Sequence, residues 1–581
     1  MERVLFAHRV LPVLRPDVAQ DPGSFSEWVQ RRELRQHPLV GKPPAEPLHM
    51  VMVVAEEPPP ETVRTLHALQ QQTSANWSLT VVVQRSHQAA FTALLTVSGL
   101  QRTSQRVRVE WAEDASPATH MLDLALTATR GAHLALLFPG DVWAPDAVAQ
   151  LAGRLSPRTV VYGDEDSVAA DGRHVDPRLK PVYSPDFLLS SSYVGRPLAI
   201  GSELARQLTS TTDDLALAEH DLALRACELA DEVIHLPDVL CHRLVAPDPR
   251  RPEAPDVRHV EAALQRRGEA AEVSPGSSRD TYRIRRRPAG DATATATATA
   301  TIIIPFRDEP RLLRTCIESI DATHRQRRFD FVLVDNDSVQ PETLTLVERL
   351  ARRDDVTVLT DNRPFNWSAL NNAAAKVASG EVLIFLNNDI EARETGCIDV
   401  LSTQAMRPGI AAVGARLVYP DGRLQHCGVV IGLGGAAGHP LAGLDARQPG
   451  YLNMAITTRE VAAVTGACLA TRRDVFEGLA GFDEALGVDL SDVDYCLRAQ
   501  RAGMRVLYEG TAELVHHESP SRGFAGGARD IGLFVDRWRT SIDAGDPYLN
   551  PHLTRGDSSC ALRGQDERGM WDRWYASLSP N

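Results

Sequence analysis

A strand–helix alternation that runs through the chain and then starts again is the feature that most limits its fold. The second run is the clearer one. TIIIPF at 301–306 reads as a buried strand, and PRLLRTCIESI as a helix with Leu312, Leu313, Cys316, Ile317 and Ile320 at helical spacing. FDFVLVDND is a strand and turn, ETLTLVERLAR a helix, VTVLTDN a strand, SALNNAAAKVA a helix and GEVLIFLNND a strand. The first run begins with HMVMVVAEE at 49–57, then a helix, ETVRTLHALQQQT, and strands near 79–83, 134–138 and 160–162. Strands alternating with helices give a doubly wound, mainly parallel α/β sheet. Two such runs in 581 residues predict tandem domains of one fold.

The expected boundaries are an N-terminal extension at 1–48, a first domain at 49–245, a linker at 246–300, a second domain at 301–540 and a tail at 541–581. The linker holds four prolines at 246–257, a helix in VRHVEAALQRRG and the repeat DATATATATAT at 291–301. The repeat reads as a solvated connector, with an added edge strand as the alternative.

The formal charge of −14 argues against a nucleic-acid-binding surface. No run of 18 apolar residues predicts a membrane span, and the N-terminus does not read as a signal peptide. The eight cysteines form no CxxC pair, which argues against a structural zinc site and fits a reducing, cytoplasmic setting.

Chemistry gathers at the strand ends of the second run, where open α/β sheets bind ligands. The first strand ends in Arg307, Asp308 and Glu309, the second in Asp335, Asn336 and Asp337, and the fourth in Asn387, Asn388 and Asp389, with Glu391 beyond. Helix capping accounts for each residue singly but poorly for the cluster. A diphosphate leaving group needs a hard divalent cation with oxygen ligands, and Asp389 stands where such a carboxylate belongs. In GVDLSDVDYCLRAQRAG the acids Asp489, Asp492 and Asp494 lie close together. Mutual repulsion would raise a pKa towards that of a general base, and Asp492 is the choice; a helix N-terminus enriched in acid is the equal alternative. In ELVHHESPSRG, His516 or His517 is a nitrogen ligand for the same cation, and Arg522 a diphosphate contact or a solvated surface residue.

Taken in order, TIIIPFRDE, FVLVDNDS, RPFNWSALNNAAAKVASGEVLIFLNNDIE, VGARLVYPDGRLQHCGVVIGLGGAAGH, VTGACLATRRDVFEGLAGFDE, SDVDYCLR and HHESPSRG resemble family-2 glycosyltransferases of GT-A fold, of the tandem bacterial type associated with O-antigen and rhamnosyl transfer. The resemblance implies an inverting sugar transfer that uses Mn²⁺ or Mg²⁺, a dTDP- or UDP-linked donor and a glycan or lipid-linked acceptor. It implies that Asp335 reads the nucleobase, that Asn371 and Asn372 face the nucleotide, and that Asp389, with Asn387 in place of a first acid, binds the cation with His516 or His517. Asp492 matches the base, although Ser491 stands where an acid is frequent. Gly466, Ala467 and Cys468 match a loop beneath the acceptor, and Asp494 is grouped with them. Pro305, Arg307, Asp308, Glu309, Asn388 and Arg522 are assigned to the nucleotide sugar. Peripheral contact with the inner membrane face and self-association are both compatible with this reading.

The first run resembles the same fold through GDEDSV, DPRLKPVYSPDFLLSSSYVGRP and IHLPDVLCHR, but its site is damaged. Gln84 and Arg85 replace the base-reading acid, and Pro139, Gly140 and Asp141 replace NND. This copy is expected to be noncatalytic. Asp164, Glu165 and Asp166 keep a second active site as the alternative. For the whole chain, a scaffold built from two inactive domains and a nucleotidyltransferase are the competing classes. FRDEPR lacks the glycine-rich loop that the latter needs.

Overall fold

The computed structural model describes residues 22–33, 46–100, 105–114, 116–129, 131–209, 215–244, 256–287, 299–324, 329–518 and 527–564. Among the described residues the chain forms two compact units, one of residues 22–183 and 191–267, the other of 184–190 and 268–564. The segment expected as a linker divides between them. Its helix, Arg258–Arg266, belongs to the first unit, and a hairpin that sequence reading did not anticipate, Ala271–Pro275 with Tyr282–Arg286, belongs to the second. Residues 291–298 of the Ala-Thr repeat lie outside the described residues, but its last two, Ala300 and Thr301, are buried in the first strand of the second sheet.

The first unit's sheet contains β1 (Leu48–Val54), β2 (Trp77–Gln84), β3 (Val107–Ala112), β4 (His133–Leu136), β5 (Asp141–Trp143), β6 (Thr159–Val168), β7 (His174–Arg178), β8 (Leu198–Ile200) and β9 (Glu232–Arg243), in the order 3-2-1-4-8-6-9-5 with β7 beside β6. After the hairpin strands β10 and β11, the second unit's sheet contains β12 (Ala300–Phe306), β13 (Phe329–Asp335), β14 (Val356–Thr360), β15 (Val382–Leu386), β16 (Ile390–Ala392), β17 (Ile410–Val418), β18 (Leu424–His426), and, past the short pair β19 (Val430–Ile431) and β20 (Ala437–Gly438), β21 (Arg459–Glu460), β22 (Cys468–Arg472) and β23 (Arg505–His516). Its order is 14-13-12-15-22-17-23-16, with β18 beside β17 and β21 beside β23.

Position for position the two orders are the same, and so are the pairing senses. β1 and β12 pair in parallel with both neighbours, β8 and β22 run antiparallel to theirs, and β5 and β16 close antiparallel on β9 and β23. The tandem α/β duplication expected from the two runs is present, but each sheet is mixed rather than mainly parallel, because the strands after β4 and β15 enter largely antiparallel to their neighbours.

Local chemistry explains the second sheet. Every residue of β12 and β15 is buried, as befits parallel strands covered on both faces. The helix Pro310–Thr323 starts with proline at its first position and buries Leu313, Cys316, Ile317 and Ile320 against the sheet. Each fully buried Leu or Ile contributes about 1.5–3 kcal/mol. Asn366 caps the helix Trp367–Ala375 by accepting from the Ala369 N–H at 2.9 Å. Residues 545–564, expected as a tail, bury Leu549, Leu553 and Cys560. All eight cysteines are free and buried, and among the described residues no helix is long and apolar enough to cross a membrane.

Candidate functional site

β12 has β13 on one side and β15 on the other, so the chain order reverses there and opens a crevice at the carboxyl ends of these strands. The backbone at that edge is unusual: Asp308, Glu309 and Asp337 all have positive φ, at 53°, 53° and 63°. Non-glycine residues seldom hold this conformation unless the surroundings impose it. Asp308 imposes part of it, its Oδ1 accepting from the N–H groups of Val339 and Gln340 at 2.9 and 2.8 Å. Asp335 is buried and accepts from the Ser338 N–H through Oδ1, and Asn336 donates to the carbonyls of Asp361 and Arg363. Arg307 and Asp337 are both exposed and stand 3.8 Å apart. Pro305 is buried within β12, and Glu309 opens the helix that follows.

Past β15 the chain turns through Asn387, Asn388 and Asp389 into β16, which pairs with β23 so that Ile390 faces His516. That register brings His516 Nε2 to 3.1 Å from Asp389 Oδ1 and 3.3 Å from Asn387 Nδ2, all three side chains being buried. On the far side of the ring, Nδ1 meets Gln425 Oε1 of β18 at 2.6 Å. Gln425 therefore holds the hydrogen on Nδ1, and Nε2 turns a lone pair towards the Asp389 carboxylate. An oxygen and a nitrogen lone pair so placed are a pair that could hold a divalent cation. His517 does not share this place. Its ring bonds Glu391 Oε2 at 2.9 Å, because adjacent side chains on an extended chain point to opposite sides.

The segment 465–467 joins this corner to the next. Asn387 N–H donates to the Ala467 carbonyl at 3.1 Å, and Gly466 N–H donates to Asp492 Oδ2 at 2.6 Å. A β-carbon at Gly466 would lie 2.7 Å from the Trp367 ring, so only glycine fits there. Asp492 lies in the first turn of the helix Ser491–Arg501, with Oδ1 accepting from the Val493 N–H at 2.8 Å. Burial is the main force raising its pKa above the usual aspartate value. Repulsion from Asp489, the cause expected from sequence, is a smaller contribution, and the two backbone donors oppose the rise.

Several expected contacts serve the framework instead. Asp494 is fully buried and accepts from Arg498, Arg537 and Trp538 Nε1, which turns it away from any acceptor. Cys468 is fully buried in β22. Asn372 is spent on both backbone groups of Phe482. Asn371 donates to the Trp367 carbonyl, and its Oδ1 is buried without a partner among the described residues. Asn388 is half-buried, and Arg522 lies outside the described residues. Gln425 and Trp367 escaped sequence reading. Gln425 lies in a three-residue strand, LQH, that is buried throughout, which only the assembled sheet reveals. Gln425→Leu is expected to weaken metal binding about 10–100-fold while the fold survives; titration calorimetry with Mn²⁺ against the native chain measures this.

The same corner of the first unit is built differently. Asp141, at the position of Asp389, is buried and bonded at 2.8 Å to Arg196, whose guanidinium also reaches Glu219 and lies 3.5 Å over the Phe138 ring. A fixed cation belonging to the chain occupies the carboxylate. Arg85, at the end of β2, pairs with exposed Glu113.

Residues 301–479 match the family model "Glycosyl transferase family 2". The chain is 35% identical, over 97% of its length, to 45% of the O-antigen biosynthesis protein RfbC of Myxococcus xanthus. It is 33% identical, over 91% of its length, to 59% of the uncharacterized protein y4gI of Sinorhizobium fredii. The chain thus spans about half the length of these curated relatives. Among solved structures, a crystal structure of GalNAc-T7 with UDP, GalNAc and Mn²⁺ aligns with 51% of this chain and 56% of its own at 16% identity, with a TM-score of 0.36.

Proposed function

We propose, from the family 2 glycosyl transferase match of residues 301–479 and from the relatives, that the second unit transfers a sugar from a nucleotide-sugar donor to a hydroxyl acceptor with inversion. The donor is a dTDP- or UDP-linked hexose or deoxyhexose such as rhamnose. The acceptor is a glycan or lipid-linked saccharide in polysaccharide assembly, the setting named for the Myxococcus relative. The observation that supports this best is the buried Asp389–His516 pair, tied through the Gly466–Ala467 segment to a partly buried aspartate, Asp492.

In this reading Asp335 and the turn 336–338 receive the nucleoside, and Asp389 and His516 hold Mn²⁺ or Mg²⁺ against the diphosphate. When bound, that ion neutralises the charge growing on the leaving group. Asp492 takes the proton of the acceptor hydroxyl. The hydroxyl oxygen forms a bond to the anomeric carbon from the face opposite the leaving group. The bond from that carbon to the diphosphate oxygen breaks, and its electron pair leaves with the nucleoside diphosphate. Gly466 N–H keeps the carboxylate aimed, and Gln425 keeps His516 in the tautomer that coordinates. The first unit is the noncatalytic copy, supported by Arg196 on Asp141.

The test is a panel of nucleotide sugars incubated with the full chain, with Mn²⁺, with Mg²⁺ and with EDTA, and read as release of nucleoside diphosphate with and without simple saccharide acceptors. One donor is expected to be turned over, and EDTA to stop it. Failure of every donor to bind, by calorimetry in the presence of metal, would favour a scaffold protein instead.

A further inference from the structure

The acidic triplet of the first unit, Asp164, Glu165 and Asp166, is engaged by partners within that unit. Its three members face different partners along β6. Asp164 accepts from the Lys180 N–H and contacts His235; Glu165 is matched by Arg178, Lys180 and Arg243. Asp166 is different in kind. It stands between two imidazoles, His174 Nδ1 at 2.8 Å from Oδ2 and His242 Nδ1 at 2.6 Å from Oδ1. The rings meet edge to face with centroids 4.7 Å apart. Among the described residues this is the one group of three histidine, cysteine or carboxylate side chains whose ligand atoms all lie within 4.8 Å of one another.

Its position in the duplicated fold carries the argument further. β5 pairs with β9 so that Val142, the residue after Asp141, faces His242. In the second unit β16 pairs with β23 so that Ile390, the residue after Asp389, faces His516. His242 is therefore the register counterpart of His516. In the first unit Arg196 has taken Asp141, and His242 faces Asp166 of β6, its partner in the parallel ladder, together with His174, which opens β7. Three ligating side chains thus come from three adjacent strands of one sheet, the kind of rigid support that holds a coordination geometry. Asp166 is fully enclosed, His242 is 4% exposed and His174 13%, so one side of the group reaches solvent.

We propose that the first unit binds a divalent transition-metal ion of its own, zinc by the character of its ligands, through Asp166, His174 and His242. Two imidazoles and one carboxylate are a donor set that zinc accepts, with water as the fourth ligand on the His174 side. Binding requires both rings to carry their hydrogen on Nε2, leaving both Nδ1 lone pairs for the ion. Zinc bonds of about 2.0–2.1 Å in a tetrahedron set ligand atoms about 3.3 Å apart, so the ring nitrogens, now at 2.8 and 2.6 Å, must part from the carboxylate by about 0.5 and 0.7 Å. His174, at the start of a hairpin strand near the surface, can supply that movement. The ion would tie β7 and β9 to β6 and so stabilise the first unit.

The experiment uses the full chain carrying Asp389→Ala, which removes the carboxylate of the second unit's pair, so the outcome is independent of the sugar-transfer reading. After equilibration with Zn²⁺ and desalting, about one equivalent of zinc is expected by mass spectrometry, with a higher melting temperature than the EDTA-treated protein. Adding His174→Ala should remove both the zinc and the melting shift, with circular dichroism reporting on the fold. Co²⁺ in place of Zn²⁺ should give the visible absorption of a tetrahedral histidine-ligated site in the Asp389→Ala chain, a readout that needs no further variant to fold. A chain that retains no zinc and shows no Co²⁺ absorption overturns the proposal, leaving Asp166 as a hydrogen-bonded anchor for two histidines. Zinc that persists at one equivalent in a folded His174→Ala variant overturns it as well.

Discussion

Asp389→Ala is expected to lower donor turnover about 10³-fold or more and to abolish its response to Mn²⁺ and Mg²⁺. The side chain is buried at the end of a fully buried strand and sits 3.1 Å from His516 Nε2, so no neighbouring water can substitute for its charge with the same geometry. Leaving-group charge grows only as the glycosidic bond breaks, so the loss should fall on kcat more than on donor affinity. The matching change in the first unit, Asp141→Ala, is expected to leave turnover within about twofold, because Asp141 is committed to Arg196. Measuring kcat/KM for both variants across a metal titration separates the two units. Near-native turnover in Asp389→Ala, or silence in Asp141→Ala with Asp389 intact, would put the reaction elsewhere.

Asp492→Asn should cost about 10³-fold in transfer while donor binding is preserved. The substitution keeps an oxygen for the Gly466 N–H, so the loop beneath the site retains its hydrogen bond and only the capacity to take a proton disappears. The pH dependence gives a second, independent signature. Burial raises the Asp492 pKa above 3.8. A base acts only when deprotonated, so native kcat/KM should rise with pH through that raised value, level off above it, and fall about tenfold per pH unit below it. The asparagine variant should lack this acid limb over the same range. If the limb and the rate both survive the substitution, Asp492 is no more than an acid at a helix N-terminus.

The strands and helices from Ala300 to Leu386 were legible, as was the duplication, whereas later elements such as the strands Ile410–Val418 and Cys468–Arg472 were not read from the sequence. TIIIPF and LIFL are unbroken apolar runs because parallel strands are covered on both faces, and the helices between them show an apolar stripe because one face is buried. The hairpin at 271–286 was not legible. Its strands are short, five residues each, and one carries Arg283, Arg285 and Arg286, so no long apolar or periodic run announces them.

For the site, the acids at 335, 389 and 492 stood out because several strand ends and a helix start carried them together. Their neighbours did not sort themselves. His516 and His517 are indistinguishable as letters; the β16–β23 register turns one towards Asp389 and the other towards Glu391. Asp492 and Asp494 lie in the same helical turn, yet one faces Gly466 and the other is enclosed by Arg498, Arg537 and Trp538, the last two from a helix some forty residues further on. Asp166 stood in the sequence only as one of three acids that kept a second active site open, and it is a buried partner of two histidines from other strands. Hydrophobic period and strand-end chemistry are local properties, and they were enough to indicate two α/β units and to gather the candidate site residues in the second. Which side chain meets which partner depends on the pairing of strands far apart in the chain, where a shift of one residue reverses every side chain, and that information exists only once the sheet is assembled.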